Sequence, residues 1–105
     1  MANNFKSSGL SNFTANTTLY TVPNATQTTA IGLVVANKTS GTVTSNVQIN
    51  RSGNNYFIIQ NAPILTGASL VVIGGDQKVV LQANDSISVS SSANTDAWIS
   101  VLEIS

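Results

Sequence analysis

Apolar and polar residues alternate along much of the chain after residue 17. In Val43-Thr-Ser-Asn-Val-Gln-Ile49 the apolar residues fall on one parity, and Ile87 and Val89 alternate with serines in the same way. A period of two is typical of a β-strand with one face on the core and the other in water. No segment shows an apolar period of 3.6 residues over a helical length, so we predict an all-β protein.

Turn-forming residues separate the apolar segments at regular intervals. The segments begin about 8 to 14 residues apart, which is the spacing of a sandwich or barrel, and we predict an antiparallel β-sandwich of about eight strands. The predicted strands are Thr18–Val22, Thr29–Ala36, Thr42–Asn50, Asn55–Gln60, Ser69–Ile73, Gln77–Gln82, Ser86–Ser90 and Asp96–Ile104, with a short apolar piece at Ala62–Leu65. Turns are predicted at Ser52–Asn55, at Asn84-Asp85, and as a tight hairpin at Gly74–Asp76.

Three of these strands are apolar on both parities: Tyr56–Ile59, Leu70–Ile73 and Val79–Leu81. Such strands are covered on both faces, by the second sheet on one side and by an arm, a loop or a neighbouring subunit on the other. Tyr56 and Phe57 lie on opposite faces of one strand, so the outward one is a candidate contact. In the last strand, Trp98 belongs either to the core or to a subunit interface, because both parities there are apolar.

The first residues have a different composition. Residues 1–17 are rich in Asn, Ser and Thr with isolated Phe5 and Phe13, and they predict an extended N-terminal arm that precedes a sandwich domain at 18–105. We predict that the arm contacts a partner through Phe5, Lys6 and Phe13, with Tyr56 and Phe57 as further contact residues. The alternative is a frayed terminus.

Charge is scarce and balanced. Charged residues make up 8% of the 105 residues and the net charge is zero, whereas Ser, Thr and Asn together supply 39 residues. Little charge means little repulsion between copies, so such a chain tends to associate and suits life within an assembly. Four scattered cations do not form the basic cluster that nucleic-acid binding needs.

The chain lacks the residues of most active and metal sites. It has no His and no Cys, which excludes Ser-His-Asp and Cys-His catalysis and zinc sites built on those ligands. No phosphate-binding or dinucleotide-binding glycine motif occurs, so we predict neither enzyme nor cofactor. Asn84-Asp85 and Asn94–Asp96 could bind calcium, although turn formation explains them equally well. Exposed aromatic residues leave carbohydrate binding open as a further alternative.

Apolar stretches are too short to cross a bilayer, and the first residues do not resemble a signal peptide. We therefore expect no membrane partner and synthesis in a cytoplasm.

Several segments resemble one class of protein. Leu19-Tyr-Thr-Val-Pro23, Ile31–Asn37, Asn61–Ile64, Gly67–Leu81 and Ile99–Ser105 are similar to small virion structural proteins of tailed phages, of the decoration or cement type, especially those of cyanophages. The resemblance covers roughly residues 18–105 and implies a jelly-roll sandwich present in repeated copies on a particle. One departure is Pro23-Asn-Ala25, where the similar sequences often have Pro-Ala-Gly.

We therefore expect a non-enzymatic capsid decoration protein that stabilises the outside of the assembled head. Its expected partners are the major capsid protein or other virion proteins, and its expected state is a homo-oligomer, with a trimer favoured. The alternative is a tail, neck, baseplate or fibre component, with a host-surface or carbohydrate-binding role.

Overall fold

The computed structural model describes residues 3–74 and 78–105, which form nine β-strands and no helix. The strands are β1 (Asn3–Phe13), β2 (Thr17–Thr21), β3 (Gln27–Asn37), β4 (Val43–Arg51), β5 (Asn54–Ile64), β6 (Ser69–Ile73), β7 (Val79–Leu81), β8 (Ser86–Ser91) and β9 (Thr95–Ile104).

These strands form two antiparallel sheets. Sheet A has the order β1-β9-β3-β6, with β7 also paired to β3, and sheet B has the order β2-β8-β4-β5. β7 lies opposite residues 28–30 and β6 opposite residues 33–36, so the two short strands follow one another along the same edge of β3. Counted as one position, they give two four-stranded sheets with the strand order of a jelly roll. The predicted all-β sandwich of jelly-roll type is confirmed.

The core lies between the sheets and is built from one parity of each strand. Leu33 and Val35 of β3 and Ile99 of β9 face inward from sheet A, and Val47 and Ile87 face them from sheet B; each is fully buried. Burying such a side chain contributes about 1.5–3 kcal/mol each. Residues of the opposite parity therefore form the two outer faces of the sandwich.

The N-terminal segment corrects the prediction of an arm. Residues 3–13 are an edge strand of sheet A, in register with β9 from Asn3↔Ile104 to Leu10↔Ala97 and with a bulge before Phe13. Local sequence did not indicate a strand, because the segment lacks apolar alternation and forms through pairing with a distant strand. The proposed domain division at residue 17 stays a prediction.

Two of the predicted turns are confirmed. Ser52 and Gly53 join β4 to β5 with φ of 52° and 83°, as a two-residue hairpin loop requires. Asn84 has a φ of 71° in the turn before β8. The predicted hairpin at Gly74–Asp76 falls largely outside the described residues, but the strands on either side of it both pair with β3 rather than with each other.

The described part of the chain contains no helix long and apolar enough to cross a membrane.

One turn residue carries backbone strain. Ala25, between β2 and β3, has a φ of 58° in the left-handed region. That conformation costs a residue with a Cβ about 1–2 kcal/mol. Glycine avoids this strain, but it lowers the free energy of unfolding by about 0.5–1 kcal/mol because the unfolded chain gains conformational freedom.

We expect Ala25→Gly to raise the free energy of unfolding by about 0.5–1 kcal/mol, since the relief of strain exceeds the added chain entropy. Urea denaturation followed by circular dichroism measures the change. Ala15→Gly is the matched control, because Ala15 is exposed in a turn and is not among the residues with positive φ. Equal effects of the two substitutions would refute the assignment of strain to Ala25.

Candidate functional site

The outer face of sheet A is crossed by two apolar rows. In the first row, Trp98 of β9 lies between Gly9 of β1 and Val34 of β3, and Val34 is paired in turn with Val71 of β6. Directly opposite residues of paired strands point to the same face, so these side chains lie side by side.

The second row lies further along the same strands. Leu102 of β9 is paired with Phe5 of β1 on one side and with Thr29 of β3 on the other, and Thr29 is paired with Val80 of β7. We call the outward surface formed by Phe5, Val34, Val71, Val80, Trp98 and Leu102 the apolar face.

The large side chains of the apolar face are uncovered. Phe5 is 77% exposed, Val71 63%, Val80 59% and Trp98 56%. Single exposed apolar residues are ordinary on a protein surface, but a contiguous patch of them marks an interaction site. The apolar face is therefore the candidate functional site.

Small residues between the two rows form a depression. Ser100 of β9 is paired with Ser7 of β1 and with Gly32 of β3. A groove of about 360 Å³ opens beside this row between Phe5 and Ile31. A second groove, of about 440 Å³, lies along Trp98, Val34 and Ala36.

The Trp98 ring lies directly over the backbone of β1. A Cβ atom placed on Gly9 would come within 2.6 Å of the ring atom Cε3, so the absence of a side chain at Gly9 allows this close approach. The ring thus packs against the neighbouring strand while Trp98 remains 56% exposed.

The apolar face carries little charge. Among the outward positions of the strands described for sheet A, Asp96 is the charged residue, and it forms an ion pair with Lys38 at 2.9 Å. Asp96 also accepts a hydrogen bond from the backbone N–H of Asn12 at 2.9 Å. That hydrogen bond and the contact with Lys38 lower the pKa of the Asp96 carboxyl, which stays ionised and paired at one end of the face.

The outer face of sheet B is polar by contrast. The amide of Asn50 donates to the hydroxyls of Ser86 and Ser88 at 3.2 and 3.0 Å, and the amide of Asn46 donates to Ser90 at 3.2 Å. These cross-strand pairs suit a surface in water. The two outer faces of the sandwich therefore have different chemistry, and that of sheet A has the contiguous apolar character of an uncovered interface.

The structure separates the five predicted contact residues. Phe5 lies on the apolar face, whereas Tyr56 and Phe57 lie on β5 at the far edge of sheet B, 55% and 52% exposed. They occupy opposite faces of β5, as predicted, because Tyr56 is paired with Ile49 and Phe57 with Gln48.

Phe13, another predicted contact residue, lies in the core. It is 5% exposed and belongs to the core cluster, because the last residue of β1 points to the inner face of sheet A, opposite Thr95. A side chain in this position stabilises the fold and offers almost no surface to another protein.

Lys6 is part of a polar cluster between the sheets. Its Nζ atom lies 3.1 Å from Oε1 of Glu103, a carboxylate that is buried beneath β9. The Tyr20 hydroxyl donates to Oε2 of Glu103 at 2.5 Å and lies 3.0 Å from the hydroxyl of Thr28. The cluster joins β1, β2, β3 and β9, and it anchors the strand that carries Phe5.

Opposite pKa shifts follow from this cluster. The hydrogen bond from Tyr20, and to a lesser degree Lys6, lowers the pKa of the Glu103 carboxyl despite its burial. Burial and the hydrogen bond to the carboxylate raise the pKa of Tyr20 to about 12. The folded protein therefore favours an ionised Glu103 and a neutral Tyr20.

The carboxylates proposed for calcium are occupied by protein donors. Asp85 is 2% exposed and accepts hydrogen bonds from the Arg51 guanidinium at 2.5 to 3.0 Å and from the backbone N–H of Gln82 at 2.8 Å. The contact with Arg51 lowers the pKa of the Asp85 carboxyl. No group of three or more metal-ligating side chains occurs within residues 3–74 and 78–105.

No protein-family model matches the chain, and its comparison with curated proteins gives no match. Solved structures share its fold at low identity. A chain of the Bacillus endospore appendages, described as disulfide-linked pili, is 10% identical with a TM-score of 0.55, covering 99% of this chain and 87% of that one.

Viral capsid chains share the fold as well. A chain of the T13 viral particle of infectious bursal disease virus is 12% identical with a TM-score of 0.60, covering 96% of this chain but 30% of that one. A chain of the capsid of Helicobacter pylori bacteriophage KHP30 is 8% identical with a TM-score of 0.53, covering 100% of this chain and 94% of that one. At these identities the similarity shows the fold.

Most of the apolar face was not among the predicted contact residues. The sequence carried a signal for part of it, since Leu70–Ile73 and Val79–Leu81 are apolar on both parities, which predicted a covering partner. The structure shows that Val71 and Val80 are the outward members of these strands. Trp98 could not be assigned from the sequence, because the parity of β9 becomes clear only from its register with β1 and β3.

The Glu103 cluster makes the stability of the fold depend on pH in two ranges. Because the folded pKa of Glu103 is lowered, its contribution is present above the unfolded value of about 4.3 and is lost as the pH falls. Because the folded pKa of Tyr20 is raised to about 12, its contribution is present below about pH 10 and is lost as the pH rises towards 12.

We expect Tyr20→Phe to lower the free energy of unfolding by about 1–2 kcal/mol at pH 7, since Glu103 loses a charge-assisted hydrogen bond. The variant should also lose less stability than the wild type between pH 10 and 12. Urea denaturation across pH 3 to 11.5 tests both expectations, with the exposed Tyr56→Phe as the matched control. Parallel stability curves for wild type and Tyr20→Phe would contradict the role of this cluster.

Proposed function

We propose that this protein is a non-enzymatic structural component of a bacteriophage virion, and that it decorates and stabilises the outer surface of the assembled head. The observation that carries the proposal is the uncovered apolar face on an otherwise well-packed jelly roll. A monomer free in solution gains nothing from leaving Phe5, Val71, Val80 and Trp98 in water. A subunit of a particle has a partner available to cover them.

Three further features support this role. The chain has 8% charged residues and zero net charge, so copies can crowd together without electrostatic repulsion. Its fold is shared with chains from two viral particles and from a pilus, which are 8% to 12% identical to it in sequence. The segments that resemble small virion proteins of tailed phages, cyanophages especially, add a link to the phage particle.

Stabilisation of the head follows from binding to the assembled state. A protein that binds the shell but not its separated subunits shifts the equilibrium towards the shell by mass action. We propose the major capsid protein as the partner and a homo-oligomer as the bound form, made in the host cytoplasm and carried on the virion. Tyr56 and Phe57 on β5 remain exposed for contacts with the capsid and Phe5 is exposed on the apolar face, while Lys6 is held by Glu103 and Phe13 is buried.

A tail, neck, baseplate or fibre position is the second candidate. The exposed Tyr56 and Phe57 favour it, because aromatic side chains on a strand edge can stack on a sugar ring or a host-surface group. They lie on the sheet opposite to the apolar face, so one subunit could attach through sheet A and recognise a target through β5.

Copy number and position on the particle distinguish the two candidates. Quantitative mass spectrometry and cryo-electron microscopy of the virion whose genome encodes this chain should find on the order of hundreds of copies per particle, located on the head. Particles made without the gene should assemble but release their genome at a lower temperature. About a dozen copies confined to the tail would favour the second candidate, and absence from the particle would refute both.

A further inference from the structure

We propose that the apolar face is a contact surface between two copies of this chain, which stack their sheets A face to face about a two-fold axis. This inference rests on the proposed assembly role, but it names the partner that covers one surface. It also predicts a dimer of the purified protein, so its test does not need the virion.

The pattern of the face is compatible with two-fold symmetry. Two apolar rows, one through Trp98 and Val34 and one through Phe5 and Leu102, lie on either side of the small-residue row that contains Ser100. A two-fold axis in the plane of the interface can run along the small-residue row or perpendicular to it. In either case, each apolar row of one copy lies on an apolar row of the other. Sheets stacked in this way pack about 10 Å apart with their outer side chains interdigitated.

The charge pattern permits a like-to-like contact. An isologous interface places each residue near its own symmetry mate or near a residue of the same patch, so a charged patch would repel itself. The charged residue at the outward strand positions described for sheet A is Asp96, and it is paired with Lys38 at the end of the face. Lys6 lines the groove beside Ser100, but its charge is paired with Glu103 at 3.1 Å, so the charges described near the centre of the face are compensated within each copy.

The size of the face suits a weak dimer. Four strands spaced about 4.8 Å apart and roughly nine residues long present about 600 Å² on each copy, or about 1,200 Å² in total. This is the lower limit of specific interfaces, for which micromolar dissociation constants are typical. We expect the isolated protein to dimerise in that range and to bind more tightly where repeated copies are held on a particle.

Pairing through the two long edge strands, β5 and β1, is disfavoured by the structure. β5, the outer strand of sheet B, has two register irregularities opposite Ser45–Gln48 and carries Pro63, and bulges and proline both oppose strand addition. At the edge of sheet A, β1 directs Lys6 inward to Glu103, and an inward charge has the same effect. The apolar face has no comparable protection.

Trp98 provides a direct probe, because it is the single tryptophan of the chain and lies on the apolar face. Sedimentation equilibrium of the purified protein, up to roughly 100 µM, should show a monomer–dimer equilibrium. Over the same concentrations the Trp98 emission should shift to shorter wavelength as its exposed ring leaves water.

Two substitutions on the face have matched controls on sheet B. Phe5→Ser removes an exposed apolar side chain, and Ser100→Lys brings two positive charges together near the axis. Phe57→Ser and Ser90→Lys make the same changes on the outer face of sheet B. We expect the face variants to raise the dimer dissociation constant at least tenfold and the controls to leave it within about twofold. Circular dichroism establishes that each variant is folded.

The outcomes separate this inference from the proposed function. A dimer weakened by Phe5→Ser and Ser100→Lys, with the matched Trp98 shift, supports the face-to-face contact. A monomer at all concentrations, a trimer, or a dimer weakened by the sheet B variants instead would overturn it. None of these results decides whether the chain resides on a phage head, which depends on the virion measurement alone.

Discussion

The register of β9 determines the chemistry of both surfaces of sheet A. β9 lies between β1 and β3, and its pairing turns Ile99 and Val101 into the core while Trp98 and Leu102 point outward. A slip of one residue would exchange these two sets, because side chains alternate between faces. Burial of one parity fixes the register, so the apolar face is a consequence of the same constraint that builds the core. The register that buries the core therefore leaves the apolar face in water unless a partner covers it.

How well the sequence predicted each strand depends on whether the strand is stabilised by its own apolar residues or by partners distant in sequence. Strands β2 to β9 were predicted to within a few residues, because most have apolar residues of clear period or density, except that the apolar piece at Ala62–Leu65 continues β5. β1 was missed because its inward positions include Lys6 and Ser8. Lys6 is inward because Glu103 receives it, and the hydroxyl of Ser8 donates to the carbonyl of Leu19. Those partners are distant in sequence, so no local pattern contains the information.

The candidate site was predicted in part for a related reason. Apolar residues on both parities of Leu70–Ile73 and Val79–Leu81 indicated that an outer face needs covering, and the structure shows such a face uncovered. The choice of contact residues depended on the arm, but the segment is a strand and Phe13 at its end is buried in the core. Phe5 remained on the surface because its register opposite Leu102 gives it the outward parity. Pairing between distant strands, rather than composition, decides which aromatic residue is available.

The two outer faces of the sandwich differ in chemistry, and this asymmetry would orient the chain in the proposed assembly. Sheet B presents amide–hydroxyl pairs such as Asn50 with Ser86 and Ser88, which water can solvate without loss. Sheet A presents two apolar rows separated by small residues, and the exposure of these apolar side chains to water is unfavourable. A chain with almost no charge cannot steer its own docking over long distances, so its placement depends on the short-range fit of this face. In the proposed assembly, the apolar face of sheet A would therefore turn towards a partner and the polar face of sheet B towards solvent.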